Sequence, residues 1–160
     1  MNRIAGIFGI KGYELTKGEI TFIRNYKPWG IILFERNIKN RKQLKDLNSS
    51  IRKVIQDKYY PILIDQEGGK VSRLNKILDL RLFSQKHFGE LYKSKRNIFA
   101  THYYVYIKHV SDLLNEVGIN INTVPVLDLL RNKSNKIIGS RSFSKDPQII
   151  KKVGLECVKN

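Results

Sequence analysis

Four short apolar runs punctuate the chain, and helix-patterned segments lie between them. The runs are Ile4 to Ile10, Ile31 to Phe34, Pro61 to Asp65 and Ile121 to Asp128. Each is short and apolar at consecutive rather than alternate positions, the pattern of a strand covered on both faces. Strands that alternate with helices form βαβ units, and such units build a parallel sheet. The helices between them carry their own start and stop signals. Thr16 with Glu19 is a capping box opening a helix through Tyr26. Asn40 with Gln43 opens a second, whose Leu44, Leu47, Ile51, Val54 and Ile55 share one face. The stretch from Gln66 to Arg96 is irregular and holds one short helix. A long helix then runs to Val117, with Gly118 as its C-terminal cap. After Asp128 comes a polar loop, and Asp146-Pro147 starts a last helix with Ile149, Ile150 and Val153 inward.

The most informative block is Ile62 to Arg73. An apolar strand ends on Asp65, Gly68 and Gly69 follow, and Arg73 brings a planar, permanently charged fork. In an α/β barrel, a carboxylate at the C-terminal end of a strand, followed by a glycine turn, is placed to bind a ligand. On this reading the glycines let a ligand approach the backbone. Spacing alone equally allows Asp65 to cap the next helix and the glycines to be only a turn.

At 160 residues the chain is long enough for one domain with a sizeable core. Its net charge of +16 invites a nucleic-acid or anionic-membrane reading. The lysines and arginines, however, are spread from Arg3 to Lys159, mostly as singles or pairs. In a chain also rich in Ile and Asn, that pattern points to a general compositional bias with lysine on solvated positions. Nucleic acid is therefore not the expected partner. Cys157 is the only cysteine, so no internal disulfide can form, which suits a reducing compartment. The run from Ile4 to Ile10 is too short and glycine-interrupted for a signal-peptide core. No run approaches the roughly 20 apolar residues of a membrane span. The expected location is cytoplasmic.

Three blocks carry a family resemblance when read in order. They are Gly30 to Asn37 (Gly-Ile-Ile-Leu-Phe-Glu-Arg-Asn), the Asp65 block, and Val124-Pro125-Val126-Leu127-Asp128 with Ile138-Gly139-Ser140-Arg141-Ser142-Phe143. From Gly12 onward the chain resembles the N-terminal part of family 3 glycoside hydrolases, and most closely the bacterial β-N-acetylglucosaminidases of peptidoglycan recycling. The resemblance implies a (β/α)8 TIM-barrel fold with its site at the C-terminal strand ends, and no metal or cofactor. Asp65 matches the family carboxylate that binds sugar hydroxyls in the non-reducing-end subsite. Arg73 and Arg141 match the two substrate-binding arginines. An ionised Asp accepts from two hydroxyls and an Arg donates through a fixed fork, so these roles fit the residue types. Asp128 looks like a residue that orders loops rather than a ligand contact. Lys70 stands where the family has Arg, Ser140 where it has Asp or Asn, and Leu82 where it has proline. None of these removes a matched binding residue.

A complete barrel takes about 250 residues, so residues 1–160 are expected to form an incomplete one with about four parallel strands, the N-terminal half of the domain. The resemblance places the acid/base histidine after the fifth strand and the nucleophilic aspartate after the seventh, both beyond Asn160. Catalytic residues are thus expected to be absent from these residues, since retaining hydrolysis needs both groups. Lys86-His87-Phe88-Gly89 resembles the signature of the family's catalytic loop, but it lies before the fourth strand and reads as a packed Phe beside a surface Lys and His. His102 and His109 share a helix face with no acidic or thiol neighbour at metal-binding spacing. Glu35 and Glu67 flank strand ends and could mimic paired carboxylates. Three functional readings follow: a glycosidase half, inactive alone and completed by a separately encoded C-terminal half; a non-catalytic module for N-acetylglucosamine-containing saccharides; or a basic nucleic-acid-associated protein on a reused fold.

Overall fold

The computed structural model describes residues 3–131 and 137–160, and the middle of the polar loop after Asp128 lies outside them. Four strands, β1 (Ile4–Gly9), β2 (Pro28–Leu33), β3 (Ile62–Ile64) and β4 (Ile121–Asn122), pair in parallel in the order β1-β2-β3-β4. Five helices accompany them: α1 (Lys17–Tyr26), α2 (Arg41–Ile55), α3 (Gln85–Ser94), α4 (Arg96–Val117) and α5 (Pro147–Lys159). This is the α/β arrangement of a partial (β/α)8 barrel, as the apolar pattern and the resemblance predict.

The helix signals act as read. The Thr16 hydroxyl accepts from the Glu19 amide while Glu19 accepts from the Thr16 amide. Asn40 caps α2 through the Gln43 amide, and Asp146 caps α5 through the Gln148 amide. Gly118 ends α4 with φ of 84°, a left-handed conformation that suits glycine.

Register decides which side chains meet the helices. Ile31 pairs with Ile62 and Leu33 with Ile64, so these four project from one face. There they join Ile23 of α1, Leu44, Leu47 and Ile51 of α2, and Val110 and Leu114 of α4 in the main core. Ile32 and Leu63, paired with each other, take the opposite face. On that face a Cβ on Gly30 would come within 2.9 Å of the Leu63 side chain, so the position has little room. A second cluster links α3, α4 and α5 through Phe88, Phe99, Tyr103, Phe143, Ile150 and Val153.

Two strand expectations are corrected. β4 covers only Ile121 and Asn122, not Ile121 to Asp128, because its partner β3 is three residues long and Pro125 has no amide to donate. Asparagine side chains extend the pairing instead. Asn120 accepts from the Ile62 amide at 2.8 Å, and Asn122 both accepts from the Gln66 amide at 3.0 Å and donates to the Gln66 carbonyl at 3.2 Å. β1 is not covered on both faces either: Ile4, Ile7 and Phe8 are exposed, since β1 is an edge with one neighbour.

Candidate functional site at the strand ends

The C-terminal ends of the strands lie together because the sheet is parallel, and two buried amide side chains hold the ends of β1, β2 and β3. After β2, Asn37 sits in a 3-10 turn (Glu35–Asn37), where its side chain accepts from the Phe34 amide and donates to the carbonyls of Ile10 and Gly12. This ties the loop after β1 to the end of β2. After β3, the buried Gln66 carbonyl oxygen accepts from the Arg73 and Leu74 amides at 2.8 and 3.0 Å, and its amide group donates to Ser72. The loop therefore folds back on itself, and Arg73 returns toward Asp65.

Asp65 is half-buried just past β3. Its Oδ1 accepts a short hydrogen bond from the Thr123 hydroxyl, and its Oδ2 lies 3.7 Å from Arg73 Nη2. The Arg73 guanidinium also lies over the Phe34 ring, 5.5 Å from its centre, and Arg36 lies over the same ring at 4.5 Å. Asp65 caps no helix: α3 begins at Gln85 with Ser84 as its cap. That leaves the carboxylate at the open strand end, where the ligand-binding reading requires it.

Gly68 and Gly69 both have positive φ, 81° and 60°. The close approach they permit is to the protein, which favours the turn reading of the glycines over the ligand-approach reading. A Cβ on Gly68 would meet the Phe83 carbonyl oxygen at 2.2 Å, and one on Gly69 would meet Ser84 Cβ at 2.7 Å. The glycines let the Asp65 loop pack under the start of α3.

Arg141 arrives from a second 3-10 turn (Gly139–Arg141) and meets Glu67. Nε and Nη2 donate to the two carboxylate oxygens, each at 2.8 Å, a fork-to-fork pair. The Glu67 hydrogen bond holds the Arg141 guanidinium above the usual arginine range; burial opposes this, and the Glu67, Asp128 and Asp65 carboxylates add to it. Arg141 is thus within electrostatic reach of Asp65, and all three expected binding residues face one end of the sheet.

Other candidates resolve differently. Glu67 is committed to Arg141 and Glu35 is exposed. Phe88 is buried in α3 after an exposed Lys86 and His87, so the Lys-His-Phe-Gly sequence is packing. A Cβ on Gly89 would meet the Phe143 carbonyl oxygen at 1.8 Å, which explains the glycine there. His102 and His109 are exposed on α4, and no group of three or more His, Cys, Asp or Glu among the described residues could hold a metal. The Asp128 backbone carbonyl accepts from the Ser142 hydroxyl at 2.6 Å, which anchors the Arg141 turn. Gln66, Glu67, Asn122 and Thr123, which hold the site together, were not singled out for these roles by sequence reasoning. Their only signal is a polar residue within or shortly after an apolar strand run. The nearest cavity, about 180 Å³, lies behind Glu67 among Gln66, Phe88, Tyr106 and Asn122; Asp65, Arg73 and Arg141 do not line it.

Comparison with known proteins agrees with the fold. Residues 10–160 match the model of the glycosyl hydrolase family 3 N terminal domain. Beta-hexosaminidase A of Pseudoalteromonas piscicida is 33% identical over 141 residues, covering 86% of this chain and 23% of that protein. A beta-hexosaminidase of Xanthomonas campestris pv. campestris is 30% identical over 144 residues, covering 90% of this chain and 42% of that protein. Among solved structures, NagZ from Neisseria gonorrhoeae superposes with a TM-score of 0.84 at 27% identity, covering 97% of this chain and 45% of that one. The same protein in complex with N-trifluoroacetyl-D-glucosamine superposes with a TM-score of 0.85 at 28% identity, with the same coverage. The chain spans less than half the length of these curated relatives. Its strand order and its match over residues 10–160 agree: the chain belongs to glycoside hydrolase family 3 and carries sequence of that family's N-terminal domain.

Proposed function

We propose that this chain forms part of the saccharide-binding site of a β-N-acetylhexosaminidase that removes terminal N-acetylglucosamine from peptidoglycan fragments. The observation that carries the reading is the Asp65 carboxylate at the end of β3, 3.7 Å from Arg73 and within the field of Arg141. Asp65 would accept from two sugar hydroxyls, and the arginines would donate to ring substituents. Similarity to beta-hexosaminidases, and to a structure complexed with N-trifluoroacetyl-D-glucosamine, supports that ligand class. The retaining chemistry needs an acid/base and a nucleophile. In this reading both come from outside residues 1–160, on the same or a separately encoded polypeptide, so the 160 residues bind without turnover. The free Cys157 thiol supports action in the cytoplasm. Among the described residues no helix is long and apolar enough to cross a membrane.

The test is an NMR titration of the 160-residue chain with N-acetylglucosamine, run beside an assay on a chromogenic N-acetylglucosaminide. A partial site should bind in the range of about 1 mM or weaker, without turnover. Asp65→Ala and Arg141→Ala should each abolish binding. Binding indifferent to both substitutions, or turnover by the isolated chain, overturns the reading.

A further inference from the structure

Arg141 is joined to the Asp65 loop by one buried carboxylate. The Glu67 side chain is 5% exposed while that of Arg141 is 26% exposed, so the pair has a buried acidic end and an open cationic end. Glu67 is itself rigidly placed. Its amide donates to the Val71 carbonyl at 3.0 Å, and its carbonyl accepts from the Tyr106 hydroxyl at 3.4 Å. The two glycines that follow it pack against Phe83 and Ser84. An arginine at the end of a short 3-10 turn has several rotatable bonds and would otherwise sample many orientations. The fork to Glu67 fixes the guanidinium plane and leaves its outer edge, with Nη1, outside the ion pair. A buried ion pair is a poor device for stability alone, since apolar side chains of similar size commonly do as well or better.

We infer that Glu67 is a positioning residue: its two carboxylate oxygens orient the Arg141 guanidinium, so that the outer N–H edge meets a neutral sugar oxygen beside Asp65. This inference rests on the saccharide reading above. It adds that affinity depends on a carboxylate which itself faces away from the ligand.

The Arg141 Nε–H resonance, assigned by its loss in Arg141→Lys, reads the orientation directly. In the native chain, rotation about Nε–Cζ should be slow because both nitrogens are held, and free rotation overturns the inference. Glu67→Gln should release that rotation and weaken N-acetylglucosamine binding by about tenfold, the scale of a charge-assisted hydrogen bond. Unaltered binding in Glu67→Gln, or a loss of affinity in Glu67→Gln while the Arg141 rotation stays slow, overturns the positioning role. If the native chain takes no N-acetylglucosamine, the saccharide reading fails, while a slow Arg141 rotation released by Glu67→Gln still supports positioning.

Discussion

Tyr60 shows how a single buried polar group ties the sheet to pH. It is fully buried before β3, and its hydroxyl donates to the Pro28 carbonyl at 2.8 Å, linking the starts of β2 and β3. Burial pushes its phenol up to about 12; Arg3, whose guanidinium lies over the ring and pairs with Asp57, opposes that rise, and Asp57 adds to it. A raised pKa in the folded state means that the stabilising neutral form is fully present below the ordinary value of 10.0. Stability should therefore fall as pH rises from about 10 towards 12, through loss of this group. Denaturant midpoints across that range check it, with Tyr60→Phe as control. The variant should lose this component of the pH dependence, and an identical slope in both proteins would refute the assignment.

At the scale of elements, β3 and β4 are too short for their backbone ladder to hold the site. Asn120 and Asn122 supply side-chain amides that copy a ladder on either side of Ile121. Thr123 continues the line, with its amide donating to the Ile64 carbonyl at 3.0 Å and its hydroxyl donating to Asp65. Asn122→Ala removes both partners of the Gln66 backbone. It should lower stability by about 1–3 kcal/mol, the cost of leaving part-buried backbone groups unpaired. It should also weaken ligand binding, because Gln66 shapes the loop that carries Arg73. Urea denaturation and the same titration check the two effects, and a variant as stable as the native chain would show that β4 is held otherwise.

At the scale of the whole molecule, the sheet has two outer strands. β1 exposes Ile4, Ile7 and Phe8, and Leu127, Leu155 and Val158 border an apolar groove of about 450 Å³ between α5 and the segment after β4. An open parallel edge with exposed apolar side chains promotes association. The net charge of +16 opposes it by repulsion, and salt screens that repulsion. The 160 residues expressed by themselves should therefore associate more as salt rises, and sedimentation velocity over a salt series measures this. A compact monomer at every salt concentration would mean that the edges are protected in some other way.

The sequence by itself determined the order of elements, the caps of α1, α2, α4 and α5, the parallel α/β class, and the strand-end position of Asp65. These follow from local signals: apolar periodicity, an oxygen-bearing cap residue, a glycine at a helix end. Strand length was not legible, because how far a ladder runs depends on the neighbour, and β4 stops where β3 stops. The role of Gly68 and Gly69 stays open in the sequence because a glycine's freedom says nothing of what fills the space beside it, here Phe83 and Ser84. The burial of β1 was overestimated because an apolar run does not reveal which strand lies at an edge. The Glu67–Arg141 pair joins residues far apart in the chain, so only the tertiary fold could bring the buried carboxylate to the arginine. What the sequence contributed was the chemical groups of the site; the packing of the loops between the strand ends decided which of them meet.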